Sequence, residues 1–129
     1  MQYIDAYVAA VPTANKDAYR AHTKQTAVVF KDHGAIKLVE NWGGAAPDGE
    51  LTSFPKAVQC KSDETVEFSW IIWPSKAVRD APMEQAMSDP RLSDGNNPIP
   101  FDGTRLIYSG FETIVDSCWV APYASRQPR

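Results

Sequence analysis

Thr65-Val66-Glu67-Phe68-Ser69-Trp70-Ile71-Ile72-Trp73 is the most apolar and most aromatic run of the chain. β-Branched and aromatic residues in such density favour a strand. A strand sends alternate side chains to opposite faces. One face carries Val66, Phe68, Trp70 and Ile72; the other carries Glu67, Ser69, Ile71 and Trp73. The first is wholly apolar, and the second begins polar and ends in an indole. The expectation is a central strand, fully covered on the first face and partly on the second. That requires two cover layers, and the remainder of the chain supplies one.

Working outward, residues 2–11 read as the first strand, with Ile4, Ala6 and Val8 on one face, Tyr3, Asp5 and Tyr7 on the other, and Pro12 as its end. Residues 14–33 read as a helix capped by Thr13 and closed by Gly34, with Tyr19, His22, Thr26, Phe30 and His33 in one stripe. Residues 35–42 form the next strand, and Gly43, Gly44, Pro47 and Gly49 make a loop. Residues 52–60 read as extended, and Pro55 puts them at a sheet edge. After the central strand, Ser75 caps a helix over residues 76–87, which Pro82 is expected to kink or divide. A long connection over residues 89–103 precedes a last strand at 105–115, where Gly110 suggests a bulge or a close approach. This succession is the split β-α-β, ferredoxin-like pattern: an α+β domain over residues 1–116, with two helices on one face of an antiparallel sheet. Residues 117–129, with Trp119, Val120 and Tyr123, form a tail.

The chain has 129 residues, 43% hydrophobic and 22% charged, with net charge −3, and its pI is about 5.3. That length fits one domain that buries its core without staples. No cluster of lysine and arginine stands out, which argues against nucleic acid and anionic membranes as partners. Met1-Gln2-Tyr3-Ile4-Asp5 lacks the basic start and apolar core of a signal peptide, and no apolar run approaches a membrane span. Cys60 and Cys118 do not make a metal spacing. The expected location is the cytoplasm, with free thiols.

His22 and His33 are the only histidines. Eleven positions on a helix leave them pointing the same way within about 20° but roughly 16 Å apart, too far to share a metal ion. Each is a pocket candidate that can pair with a carboxylate such as Glu40, although a polar-tipped core residue at a helix end is the favoured reading of both. Asp5, Glu40, Glu67 and Glu112 are acidic residues on strands, some of them expected on the face away from the helices. A carboxylate enclosed between two sheets would be desolvated and its pKa raised, as a general base requires; at a strand end it would simply be hydrated. Tyr7, Trp42, Trp70, Trp73 and Tyr108 can line a site for a planar ligand or serve core and dimer packing. Cys60 has no neighbouring base in the sequence and reads as an inert edge thiol. Gly43-Gly44 is not a phosphate loop, and the chain has no nucleophile elbow, zinc spacing or nucleotide fingerprint.

Four motifs, in order, carry a family resemblance: Thr52-Ser53-Phe54-Pro55-Lys56-Ala57-Val58; Glu64-Thr65-Val66-Glu67-Phe68-Ser69-Trp70-Ile71; Asp89-Pro90-Arg91-Leu92; and Pro100-Phe101-Asp102-Gly103-Thr104-Arg105-Leu106-Ile107-Tyr108-Ser109-Gly110-Phe111-Glu112. From about Tyr3 to Asp116 the chain resembles the YbaA-like family of small bacterial proteins, a domain of unknown function. Pro82 departs from the family's helix, and the tail from Ser117 lies outside the resemblance. The resemblance implies the dimeric α/β-barrel superfamily, whose members pair their sheets face to face. It carries over no catalytic residue. Similar superfamily members include cofactor-independent monooxygenases and isomerases, and haem binders, for which His22 and His33 are the only imidazoles available. No cofactor or metal is expected. The expectation is a homodimer that binds a small organic molecule in or beside the barrel, the alternatives being a non-catalytic assembly module and a monooxygenase- or isomerase-like enzyme. The pocket candidates are Asp5, Tyr7, His22, His33 and Glu40, with Trp70, Trp73, Tyr108 and Glu112. Ile71 and Trp73 are expected on the outward, pairing face, with Phe68 and Trp70 as the alternative.

Overall fold

The computed structural model describes residues 1–119 apart from 45, 46, 48 and 94; the tail expected beyond residue 119 lies outside the described residues. The fold is α+β. Strands β1 (Tyr3–Pro12), β2 (Lys37–Trp42), β3 (Glu64–Trp73) and β4 (Ile107–Glu112) alternate with helices α1 (Lys16–Asp32), α2 (Phe54–Ala57) and α3 (Lys76–Met87). The strands form one open sheet in the order β2-β3-β1-β4, and every neighbouring pair is antiparallel.

The register decides which residues share a face, because residues directly opposite in an antiparallel pair point the same way. Tyr3 faces Trp73, Asp5 faces Ile71, Tyr7 faces Ser69 and Ala9 faces Glu67. Leu38 faces Ile71, and Glu40 faces Ser69. This is the face that α1 and α3 cover. Phe30 of α1 and Ala86 of α3 pack on Ile71 and Trp73, and Tyr19 of α1 packs on Ala9 and Val11. The helical stripe read from the sequence is therefore correct in direction. Helix α1 begins later than expected, after a 3-10 turn over Thr13–Asn15. Thr13 does not cap it; its hydroxyl meets that of Thr65 at 2.7 Å.

The two faces of β3 are the reverse of the expectation. Glu67, Ser69, Ile71 and Trp73 are all buried beneath the helices. Val66, Phe68, Trp70 and Ile72 are only partly covered. Interior polar groups are tolerated when they are partnered, and here the Trp73 indole N–H donates to Asp5 Oδ2 at 2.9 Å. The four strand acids lie on the helix side as well, not away from it: Asp5, Glu40, Glu67 and Glu112 share one parity across the sheet.

Residues 52–60 are not an edge strand. Ser53 Oγ accepts from Lys56 N at 3.2 Å and Pro55 sits in the first turn of α2, where a missing N–H costs nothing. This segment covers one end of the second sheet face. Val58 is fully buried against Val8 and Ala10, with Cys60, Val66 and Phe68 around it. Among the described residues the rest of that face is apolar and carries no helix: Ile107 is 45% exposed and Phe111 54%, beside the partly covered Ile4, Ala6, Trp70 and Ile72. Helix α3 runs through Pro82 as a single 12-residue element, capped by Ser75, so Pro82 does not divide it. Gly110 is a close approach, as expected: a Cβ there would run into the Tyr3 ring. No helix of the described residues is long and apolar enough to cross a membrane.

Candidate functional site

Helix α1 does not seal against the sheet along its whole length. Between them lies a cavity of about 220 Å³, and a second cleft of about 160 Å³ opens beside it near Trp42. The two share Tyr19, Thr23, Glu40 and Glu67 as walls. The larger one has an apolar body, lined among others by Phe30, Leu38, Ile71, Ile99 and Leu106, and a polar end.

That polar end is built by register. Glu40 of β2 faces Ser69, and Trp42 faces Glu67, so Glu40 and Glu67 are diagonal neighbours on adjacent strands. The Tyr19 hydroxyl, from the first turns of α1, donates to Glu40 Oε1 at 2.7 Å. Rings hold Tyr19 in place: Trp42 at 6.0 Å and Phe101 at 5.8 Å. Glu67 is 1% exposed. Burial first, and then the hydrogen bond and negative charge of Glu40, raise its pKa far above the carboxylate range. The pair thus holds a proton at neutral pH, with Glu67 as the acid. Its Oε1 atom has no hydrogen-bond partner among the described residues. Burial and the two carboxyl groups also raise Tyr19 well above its ordinary value. Burial, then the charge of Asp5, pushes Tyr7 up to about 12. Both phenols are hydrogen-bond donors at neutral pH.

His22 lines the same cavity. Its Nδ1 lies 2.8 Å from Asn97 Oδ1, while Asn97 Nδ2 donates to His22 O at 3.1 Å and to Thr26 Oγ1 at 3.2 Å. With the amide nitrogen so committed, its oxygen faces the ring and Nδ1 is the donor. In the neutral imidazole, Nε2 is then an acceptor. The arrangement offers an acid (Glu67), a base (Glu40), a donor (Tyr19) and an acceptor (His22) around an apolar chamber. Chemically, it can exchange a proton with a ligand or anchor a polar head.

The sequence candidates divide as follows. Tyr7, His22 and Glu40 reach the cavity. Tyr108 stacks on Tyr7 at 5.9 Å from the edge strand but is 70% exposed. Asp5 and Trp73 are bound to each other and, through Asp5, to Arg79. His33 lies at the far end of α1, 3.3 Å from Asp89. Trp70 is on the opposite sheet face, and Glu112 is exposed at the sheet edge. Glu67, weighed as a strand acid but not placed among the pocket candidates, proves the most enclosed polar group of the cavity. In the sequence Tyr19 stands out only as part of the helical stripe. No group of three or more metal-ligating side chains forms among the described residues. The cavity is smaller than the roughly 300–1,000 Å³ of drug-sized sites, which suits a single ring and not a haem.

The buried acid has a consequence for stability. Below about pH 4.5 Glu67 is protonated in both folded and unfolded chains. Above it the unfolded chain releases the proton and the folded chain keeps it, so stability falls as pH rises, until the folded group itself ionises. Glu64 acts oppositely: its hydrogen bonds to Arg105 lower it to about 2, so its contribution is lost as pH falls from about 4.5 toward 2. The expected unfolding temperature is highest at about pH 5. Glu67→Gln should flatten the alkaline decline and stabilise at pH 7 by about 2–3 kcal/mol. Thermal unfolding from pH 3 to 9 checks this, and an unchanged alkaline slope in Glu67→Gln would contradict it.

The fold and the cavity define a class: a small α+β protein with a helix-roofed acidic pocket on one face of an antiparallel sheet. Within that class the chain belongs to the family described as "Protein of unknown function (DUF1428)", whose pattern residues 2–103 match. The chain is 49% identical over 116 residues to "Uncharacterized protein YbaA" of Escherichia coli strain K12, which spans 90% of this chain and 99% of that protein. The YbaA proteins of Escherichia coli O157:H7 and Shigella flexneri match to the same extent.

Proposed function

We propose that this protein binds a small organic molecule of single-ring size in the cavity between α1 and the sheet. One observation carries the reading: a carboxyl pair, half-buried Glu40 and fully buried Glu67, stands at the end of an apolar chamber, and Glu67 Oε1 is unpartnered among the described residues. Buried polar groups are otherwise hydrogen-bonded, and an exception asks for a partner. A thermal-shift screen against a metabolite library tests it. The expected result is a stabilising ligand whose shift shrinks in Tyr19→Phe, which removes the hydroxyl that orients Glu40. A screen without hits, or hits indifferent to Tyr19→Phe, would overturn it.

A second reading concerns assembly, and the open face of Trp70, Ile72, Ile107 and Phe111 favours it. We infer a ferredoxin-like fold paired into a dimeric α/β barrel through that face. The strand order β2-β3-β1-β4, with α1 and α3 on one side, supports the first part. The apolar face on the other side supports the second, because monomers seldom expose a large contiguous apolar patch. The proposed location is the cytoplasm, consistent with the acidic pI of about 5.3 and the free thiols of Cys60 and Cys118.

A further inference from the structure

Among the described residues, the partly or wholly buried acids fall into two groups. Asp5 is paired with Arg79 at 3.0 Å, Glu64 with Arg105 at 2.6 Å, and Asp89 with Arg91 at 2.7 Å. Glu40 and Glu67 have no such cation: among the described residues no lysine, arginine or histidine nitrogen lies within 4.0 Å of either. The Tyr19 hydroxyl donates to Glu40, and Glu67 Oε1 has no partner among the described residues. Among the described residues, the walls of the larger cavity that they close hold no lysine or arginine.

We propose that the ligand of this cavity is an organic cation, a protonated amine or amidinium on a single-ring apolar body, whose charged nitrogen sits on the Glu40–Glu67 pair. The proposal rests on the binding reading above and names its ligand class. An anion would meet two carboxyl groups in a low-dielectric site, where like charges repel strongly. A neutral molecule would leave the charge of the pair uncompensated. A bare metal ion lacks a third protein ligand among the described residues. An ammonium group supplies several donors and a charge, which matches one unpartnered oxygen beside a second carboxyl group. The apolar walls at Phe30, Leu38 and Ile71 take the ring.

Binding has a proton signature. A cation seated on the pair favours the charged form of Glu67, so the ligand displaces the shared proton to solvent. The other titratable and charged groups facing the pair are Tyr7 from β1 and Lys16, Tyr19, Arg20 and His22 from α1. Both phenols hold their protons through neutral pH. Lys16 lies over the Trp42 ring at 5.8 Å and Arg20 binds Asp17 at 3.0 Å, both at the smaller cleft. His22 is the remaining candidate for a pH effect and needs its own control.

The test is titration calorimetry of the full chain with benzylamine, benzyl alcohol and benzoate, between pH 6 and 8 and in buffers of different ionisation heat. Benzylamine should bind at least tenfold more tightly than benzyl alcohol, with proton release and an affinity that rises by up to tenfold per pH unit. Benzoate should not bind. Glu67→Gln should abolish the proton release and the pH dependence of benzylamine binding. Benzyl alcohol or benzoate binding as well as the amine would overturn the cation assignment and leave the cavity reading intact. Failure of all three to bind would overturn both. A pH dependence that survives Glu67→Gln and disappears in His22→Gln would overturn the placement of the charge on the pair, as would amine binding without proton release.

Discussion

Replacing Arg79 with methionine is expected to destabilise the fold by about 3–5 kcal/mol, the usual consequence of stripping the partner from a buried charge. Asp5 is 2% exposed in the middle of the helix-side face. Its carboxylate accepts from Arg79 Nε on one oxygen and Nη2 on the other, both at 3.0 Å. Trp73 Nε1 donates to it at 2.9 Å. The cluster joins β1, β3 and α3, and Trp73 is itself fully buried. Without Arg79, Asp5 must stay charged with one donor or take up a proton. Asp5→Asn should cost less. It leaves Trp73 an acceptor, and the Arg79 side chain, 27% exposed, can turn to water. The double substitution should therefore be milder than the sum of the two singles, because the charge that Arg79→Met strands is gone. Urea unfolding of the four proteins measures this cycle. A loss below about 1 kcal/mol for Arg79→Met would mean that the pair behaves as a surface salt bridge.

The same residues show what could be read from the chain and what could not. The alternation of β3 was legible, and so were the stripe of α1 and the Ser75 cap, since each is a local pattern. Which side of β3 faces the helices was not. Hydrophobicity ranks Phe68 and Trp70 above Glu67 and Ser69, but that ranking ignores partners. Trp73 goes inward because Asp5, far away in the sequence, accepts its N–H. Glu67 lies inward, and its burial raises its pKa so that it keeps its proton there. An apolar face left open reads as core in a single chain, although a second copy can be what covers it. The candidate site failed for a related reason. Tyr7, His22 and Glu40 were singled out by residue type, whereas Glu67 and Tyr19 enter through the β2–β3 register and one helix-to-strand hydrogen bond. Parity alone held one clue: Glu40 shares a face with Leu38 and Trp42, and Glu67 with Ile71 and Trp73, so one antiparallel pairing could set the two acids side by side. Pro55 misled by its reputation. It excludes a central strand, but Ser53 two positions before it was the signal for a capped turn.

On the proposed pairing, Trp70→Glu should convert a particle of twice the 14.3 kDa chain mass into a monomer. Trp70 lies on β3, near the middle of the open face, with Phe68 at 5.6 Å between ring centroids. Phe68 is partly covered by Phe54 at 6.0 Å, so Trp70 is the more telling of these two positions, and both are better probes than Ile71 and Trp73. Those last two are buried under the helices at 2% and 0% exposure, and a charge there would damage the core instead of testing the interface. A two-fold pairing uses the same patch on both copies, so one substitution places two carboxylates against apolar surface and close to each other. The stable pairing it must break buries about 800 Å² per partner, and an unpaired buried charge costs several kcal/mol per ion. Val28→Glu is the control. Val28 is 53% exposed on α1, on the side of the molecule away from the sheet's open face, and its replacement should leave the mass unchanged. Light scattering at micromolar concentration reads both variants. A monomeric parent protein, or a Trp70→Glu variant that keeps the doubled mass, would show that the open face meets something other than its own copy.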